Sequence, residues 1–322
     1  RVEQLAELLA RLAGVGFDGA VRLEAHLGEF CMAVDEAGAL GPLDVVLDIN
    51  AGTLRPTEGA APVAFSHANT AFTYTPEGHR IAFSRIEVDS AWVTARGEGQ
   101  TFLTGMEDGW PDALVAQIRL QEITANPFAL YPEPVGFDGA NLDMRLTLDP
   151  FHLAIGEFAV SDDQVQLVAR GDVRADPEGW RVAVDAHLPE ASSERLLELW
   201  PLALEPKTRT WITDNVETAK LRNIQFALRL APERDPDIYL GFDFHDLTSR
   251  FIKDVAPIEN GRGHASIFDN RFAITAQAGF VQPAQGGRID ITGSSFEIPD
   301  LRINRGPGRV HLKAQSTITA GL

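Results

Sequence analysis

The feature that most constrains this chain is a two-residue alternation of apolar and polar side chains that returns along its whole length. In Val21-Arg-Leu23-Glu-Ala25-His-Leu27 the odd positions are apolar and the even ones polar. Leu142-Asp-Met144-Arg-Leu146-Thr-Leu148 repeats the pattern. It returns in Val165-Gln-Leu167, Arg181-Val-Ala-Val184-Asp-Ala-His-Leu188, Ile224-Gln-Phe226-Ala-Leu228-Arg-Leu230, Phe272-Ala-Ile274, Arg288-Ile-Asp-Ile291 and Val310-His-Leu312-Lys-Ala314. Side chains alternate across a strand, so each segment presents one apolar face and one wet face. Parallel sheets covered on both sides read instead as continuous apolar runs. The pattern therefore predicts an antiparallel, one-sided sheet. Turn clusters at Thr75-Pro-Glu-Gly78, Asp176-Pro-Glu-Gly179 and Gln285-Gly-Gly287 separate the strands at hairpin-like intervals.

Short helices are expected between groups of strands. Residues 2–12 place Val2, Leu5, Leu8, Leu9 and Leu12 on one face, and residues 112–123 do so with Leu114, Val115 and Ile118 after Pro111-Asp112. Residues 193–200 begin after Ser192 and stop at Pro201, and residues 206–215 open with a first-turn proline, Pro206. Residues 247–255 follow Asp246 as a candidate cap and end before Pro257. Helices this short are unstable alone and must dock on the sheet.

The hexapeptide Val15-Gly-Phe-Asp-Gly-Ala20 recurs unchanged as Val135-Gly-Phe-Asp-Gly-Ala140, and Gly28-Glu-Phe30 corresponds to Gly156-Glu-Phe158. With Leu221–Phe226 and Ile258–Gly263 after the other helical regions, the chain reads as about four segments of a short helix followed by antiparallel strands. Their expected bounds are residues 1–110, 111–190, 191–246 and 247–322, all one continuous architecture.

Chemical motifs are scarce. Gly14-Val-Gly16-Phe-Asp-Gly19 fits a dinucleotide-loop string, but that loop needs a strand before it and a helix after it. Here the expected order is reversed, which favours a tight helix-to-strand turn with glycine at positive φ. Asp243, His245 and Asp246 lie close together, but no third ligand is near, so the expectation is a solvated strand face running into an Asp246 helix cap. His26, His187 and His311 sit on polar sides of strands. Cys31 reads as a structural thiol, and Glu107-Asp108 as an acidic turn. No zinc-protease, nucleophile-elbow, phosphate-loop or paired-cysteine motif occurs. The expectation is a protein that is not an enzyme and needs no metal and no cofactor.

Charge removes other classes. With 28 Lys+Arg against 46 Asp+Glu the formal charge is −18, so no nucleic-acid partner is expected, nor adhesion to anionic membrane through a basic patch. No apolar run approaches the roughly 18–20 residues of a membrane helix. No leader peptide is visible and there is no initiator Met, which reads as a fragment of something longer.

Many one-faced strands must hide the apolar face. The sheets can seal against each other as sandwiches, or a long sheet can curl into a trough that receives something else. Acyl chains suit such a trough, and periodicity alone does not choose between the two.

The second half carries a resemblance. Leu199-Trp-Pro201, Lys207-Thr-Arg209-Thr-Trp211-Ile and Asn215 resemble the signature of the large AsmA-like proteins of the YhdP type. Residues 244–263, Ala278-Gly-Phe280, Gly286–Ile291 and Phe296–Asp300 continue the likeness, while Ala219 departs from it where the family has a glycine before a strand. The resemblance covers residues 190–322 well and the first half in style. It implies a mainly β fold: an elongated antiparallel β-groove of repeating, curled sheet punctuated by short α-helices. It also implies a bridge-like lipid-transfer protein of the periplasm, anchored in the inner membrane by a helix absent from this sequence.

The expected function is thus a segment of a periplasmic bridge conducting phospholipid, or another acyl-chain lipid, between inner and outer membrane. The expected lining is Val21, Leu23, Leu27, Leu142, Met144, Leu146, Val182, Val184, Phe226, Leu228, Phe272 and Ile274. The expected partners are lipid, the inner membrane through the absent anchor, and envelope proteins. The alternative is a structural or interaction β-scaffold of the cell envelope without lipid conduction. A carbohydrate-active enzyme with convergent carboxylates is a third reading.

Overall fold

A chain whose segments each have one wet face should form a sheet by hairpins, and it does. The computed structural model describes residues 18–22, 41–55, 57–107, 111–161, 166–202, 206–250, 255–303 and 306–316, with Asp18–Arg22, Leu148 and Ser161 described as backbone. The fold is mainly β: one long antiparallel meander sheet, not closed, with two short helices.

The strands are β1 (Asp18–Arg22), β2 (Leu43–Leu54), β3 (Val63–Thr75), β4 (Arg80–Ser90), β5 (Val93–Thr104), β6 (Ala113–Ala125), β7 (Val135–Leu148), β8 (Phe151–Ser161), β9 (Gln166–Asp176) and β10 (Gly179–Ser192). Helices α1 (Ser193–Leu199) and α2 (Pro206–Asn215) follow. Then come β11 (Val216–Leu230), β12 (Asp237–Ser249), β13 (Ile258–Phe268), β14 (Arg271–Val281), β15 (Ile289–Asp290), β16 (Ser295–Ile298) and β17 (Arg309–His311). Antiparallel pairing runs in chain order from β1 to β8 and again from β12 to β14. The far edge of β14 is shared by β15 and β16, and β17 pairs with β16.

The chain divides into two compact units. The first holds Arg1–Asp162, Val168–Val184 and Arg229–Asp235, the second Asp163–Leu167, Asp185–Leu228 and Pro236–Leu322.

Within the first unit the sheet turns back on itself. Thr57 Oγ1 donates to the Asp176 carbonyl at 3.0 Å, and Trp180 Nε1 donates to the Ala61 carbonyl at 2.9 Å. The β2–β3 connection therefore meets the β9–β10 turn. A run of ring contacts reinforces the junction: Phe128 to Trp92 at 4.3 Å, Trp92 to Trp180 at 5.7 Å and Trp180 to Phe151 at 5.7 Å. Strand twist of roughly 20–25° per neighbour accumulates across so many strands, which brings distant hairpin ends together.

Within the second unit side chains and backbone of the two helices tie them together. Ser192 caps α1, its Oγ accepting from the Arg195 N–H at 3.1 Å. Arg209 Nη2 donates to the Leu197 carbonyl at 3.1 Å, and Asn215 Nδ2 to the Trp211 carbonyl at 2.8 Å. Trp200 and Thr208 are buried. These bonds thus hold the helix pair together, and both helices stand where the sequence placed them.

Several expectations change. Residues 112–123 are not a helix but the body of β6. Asp112 is not a helix cap: its N–H donates to Thr104 O at 2.9 Å and closes the β5–β6 hairpin. Leu114, Ala116, Ile118 and Leu120 alternate, and bonding to strands on both sides outweighs the helical spacing of Leu114, Val115 and Ile118. Residues 247–249 likewise belong to β12, and residues 251–254 lie outside the described residues. Asp246 is no helix cap. It has φ of 51° in a β-bulge where the register shifts between Phe244 and Leu247.

Of the glycine turn expected at Gly14–Gly19, residues 14–17 lie outside the described residues and Asp18 and Gly19 belong to β1; the second copy of the hexapeptide, Val135–Ala140, is the start of β7. Ala219 is a buried residue within β11. The helix expected at residues 2–12, together with Leu23, Leu27, His26 and Cys31, lies outside the described residues.

Candidate functional site

Residues directly opposite each other on neighbouring strands share a face, so the registers trace the two surfaces of the first unit. One row runs Val45, Phe72, Phe83, Gly99, Ile118, Leu142 and Phe158, from β2 to β8. Alongside it, Leu103, Leu114, Leu146 and Leu153 form a second row, and Thr101, Ala116, Met144 and Ile155 a third. Every position is apolar, a glycine or a single threonine. Val21 stands opposite Ile49 in register.

The opposite surface is polar. Its central row is Asp44, Thr73, Ala82, Gln100, Gln117, Asp143 and Glu157. Thr73 Oγ1 donates to Asp44 at 2.5 Å, and the two glutamines bond at 3.2 Å. A shallow, open hollow of this unit is lined chiefly from the polar side, by Arg80, Glu98, Gln100, Gln117, Arg119 and Asp143 among others.

Burial along the apolar rows is uneven. Val45, Ala95, Thr101, Ala116 and Ala140 are buried. The larger side chains of the centre, Phe72, Phe83, Ile118, Leu142, Met144, Leu146, Ile155 and Phe158, are only half-buried. Small residues sit at the sheet surface beneath them; at Gly99 an added Cβ would lie 2.3 Å from the Gln117 carbonyl oxygen.

The second unit has the same two-sided order with a different outcome. Leu240, Ile267, Phe272 and Ile298 form one apolar row, and Phe242, Ala265, Ile274, Phe296 and Val310 the next. Here Leu240, Ile267 and Phe272 are 6%, 3% and 7% exposed and Ala265 is 1% exposed.

Of the residues expected to line a groove, Leu142, Met144 and Leu146 share one face of β7, half-buried. Val182 and Val184 are half-buried on β10 of the first unit, and Phe226 and Leu228 half-buried on β11 of the second. Phe272 and Ile274 share the second unit's apolar face, Phe272 buried and Ile274 half-buried. The central partners Ile118, Leu120, Phe83 and Phe158 were not among the expected lining residues. The spacing Leu114-x-Ala116-x-Ile118-x-Leu120 carries the signal for two of them.

The titratable groups lie on the polar side. Asp243 opposes His264 and bonds its Nδ1 at 3.1 Å, while Asn223 Nδ2 donates to the other carboxylate oxygen at 2.8 Å. The Asn223 hydrogen bond, with His264 second, holds the Asp243 carboxyl below its ordinary range. His67 pairs with Asp48 and His152 with Asp172 in the same cross-strand manner. Exposed pairs of this kind contribute about 0–1 kcal/mol each. His187 and His311 are exposed, and so is Glu107, while Asp108 lies outside the described residues. No group of three metal-ligating side chains is found among the described residues. No helix of the described residues is long and apolar enough to cross a membrane.

Comparison with protein-family models, with curated proteins and with solved structures returns no match.

Proposed function

We propose that the chain is a segment of a periplasmic lipid-transfer bridge, conducting phospholipid or another acyl-chain lipid between inner and outer membrane along an apolar β-groove. The observation that supports it most is the half-buried state of the large side chains in the seven-strand apolar row of the first unit. Burying a Leu or Phe fully is worth about 1.5–3 kcal/mol, so each half-buried one leaves part of that gain unrealised. A contiguous surface of this kind calls for an apolar occupant. An acyl chain supplies one, at about 0.8 kcal/mol per buried methylene. The apolar run Ala140–Leu146 spans six residue steps, about 20 Å, a length on the scale of a lipid tail.

The mechanism is non-catalytic. Tails slide along rows whose single hydroxyl, that of Thr101, already donates to the Val115 carbonyl at 3.0 Å, and headgroups stay in water. The expected lining residues Leu142, Met144, Leu146, Val182 and Val184 act in this way within the first unit, and Phe226, Leu228 and Ile274 act in this way within the second. The resemblance to AsmA-like proteins of the YhdP type supplies the periplasmic setting and the inner-membrane anchor.

Photo-crosslinking in cells tests this. A photoreactive residue at Leu146 should capture phospholipid and one at Arg145, on the opposite face, should not. No capture at Leu146, or equal capture at both, overturns the reading. The envelope-scaffold reading draws on the second unit, where Leu240, Ala265, Ile267 and Phe272 are already buried. Native mass spectrometry separates the two: co-purified lipid favours conduction, and a lipid-free protein favours the scaffold.

A further inference from the structure

The polar face of the first unit carries charged and amide side chains that the protein itself leaves unused. Gln100 and Gln117 stand opposite each other in a row that Asp143 and Glu157 continue. Two residues along each strand, a second row on the same face holds Glu98, Arg119 and Asn141. Two residues the other way, a third holds Arg80, Phe102, Val115 and Arg145. Members of all three rows border a shallow hollow of about 560 Å³.

Three observations set this area apart from an ordinary solvated sheet. The first is missing pairing. Elsewhere opposite charges on neighbouring strands join, as Arg96 and Glu122 do at 3.0 Å and Arg271 and Glu297 at 2.9 Å. Glu98 and Arg119 are directly opposite in register, yet neither makes an ion pair or a side-chain hydrogen bond among the described residues, and nor do Arg80, Asn141 and Asp143. The bond from Gln100 Nε2 to Gln117 Oε1, 3.2 Å long, leaves an acceptor open on Gln100 and a donor open on Gln117. The second is a cost. Asp143 and Glu157 oppose each other directly, a like-charge pairing that lowers stability. The third is an aromatic ring. Phe102, the one aromatic residue of β5, stands on this wet face between Arg80 and Val115 and is 39% exposed.

Charge narrows the class of ligand. Around the hollow Arg80 and Arg119 are balanced by Glu98 and Asp143, on a chain whose formal charge is −18. Neither an anion nor a cation gains a net attraction there. Donors and acceptors stand side by side on planar side chains, which suits a ligand of many hydroxyls, each able to donate and to accept. The exposed ring beside the polar rows suits a ligand that also has an apolar face. A sugar ring has both, a C–H face and a rim of hydroxyls. Strands β4 to β7 cover three strand spacings, about 14 Å, which calls for several linked rings.

We infer that the polar face of β4–β7 is a non-catalytic binding site for a neutral chain of linked sugar rings. One ring stacks on Phe102, and the hydroxyls of its neighbours bond to Gln100, Gln117, Arg119 and Asp143. The apolar rows lie on the opposite face of the same strands, so this inference is independent of lipid conduction.

Isothermal titration of the whole 322-residue chain with chitohexaose, cellohexaose and maltohexaose tests it. At least one should bind with a Kd of roughly 1 mM or tighter. Phe102→Ala should weaken that binding roughly tenfold, the scale of one lost ring contact. Gln117→Ala, at an exposed position, should weaken it to a similar extent, roughly tenfold, with an unchanged circular dichroism spectrum. Dextran sulfate, a sugar chain that carries anions, should bind no more tightly than the neutral chain. No binding of any of the three hexasaccharides at about 10 mM, tighter binding of dextran sulfate, or binding unmoved by either variant overturns the inference.

Discussion

Gly59 has no need of positive φ, yet it is the residue whose side chain the first unit can least accommodate. A Cβ at that position would lie 1.8 Å from the Pro177 carbonyl oxygen and 2.7 Å from its carbon. Contacts under 3.0 Å are essentially never made by a real Cβ, so Gly59→Ala must force the two segments at least 1.2 Å apart (3.0 − 1.8). That displacement breaks the Thr57–Asp176 and Trp180–Ala61 hydrogen bonds, worth about 1 kcal/mol each. It also pulls Trp180 from Trp92 and Phe151, at about 0.5–1.5 kcal/mol per ring pair. The sum is about 3–5 kcal/mol, or a factor of roughly one hundred to a few thousand in the local opening equilibrium. Hydrogen-exchange mass spectrometry over residues 57–61 and 176–184 should show that acceleration. Gly136→Ala is the control, since its nearest neighbour would be Ile123 O at 3.9 Å. If Gly59→Ala exchanges like wild type, the junction between the β2–β3 connection and the β9–β10 turn does not hold the first unit in its curled form.

Other outcomes follow from the same geometry. Gly263→Ala should destabilise the second unit by about 2–4 kcal/mol, read as a lowered urea midpoint, because its Cβ would meet Thr275 O at 1.9 Å and Phe244 Cζ at 2.7 Å. Asn223→Gly keeps the positive φ of 51° but deletes the amide that bonds Asp243, so the Asp243 carboxyl should titrate closer to its ordinary range by NMR. A carboxyl depressed in the folded state adds stability above its unfolded pKa and loses it as pH falls through the folded value. Wild type should therefore show a small loss from this group only in acid below the ordinary Asp range, and Asn223→Gly a smaller one.

How far the sequence could be trusted depended on whether a local pattern had one structural meaning. Strict alternation has only one, and Leu142–Leu148, Arg181–Leu188 and Ile224–Leu230 all lie in strands. The caps and prolines around α1 and α2 were equally local, and both helices appear. Leu114, Val115 and Ile118 fit helix and strand alike, and pairing with the flanking strands β5 and β7 decided for strand. Asp246 before an apolar run looks like a helix cap, yet the register against Arg262 and its neighbours on β13 makes it a bulge.

The sequence by itself determined that the chain is mainly β, antiparallel and two-faced, because side-chain alternation is a property of each strand alone. Only the tertiary structure decided which apolar residues are sealed. Phe272 and Ile274 belong to one alternating stretch and one face, yet the first is buried and the second half-buried; Leu142 and Met144 of the first unit also remain half-buried. Tertiary packing also decided that Gly59 must be glycine. Each depends on what arrives from elsewhere in the chain to cover a surface, and no local pattern encodes that.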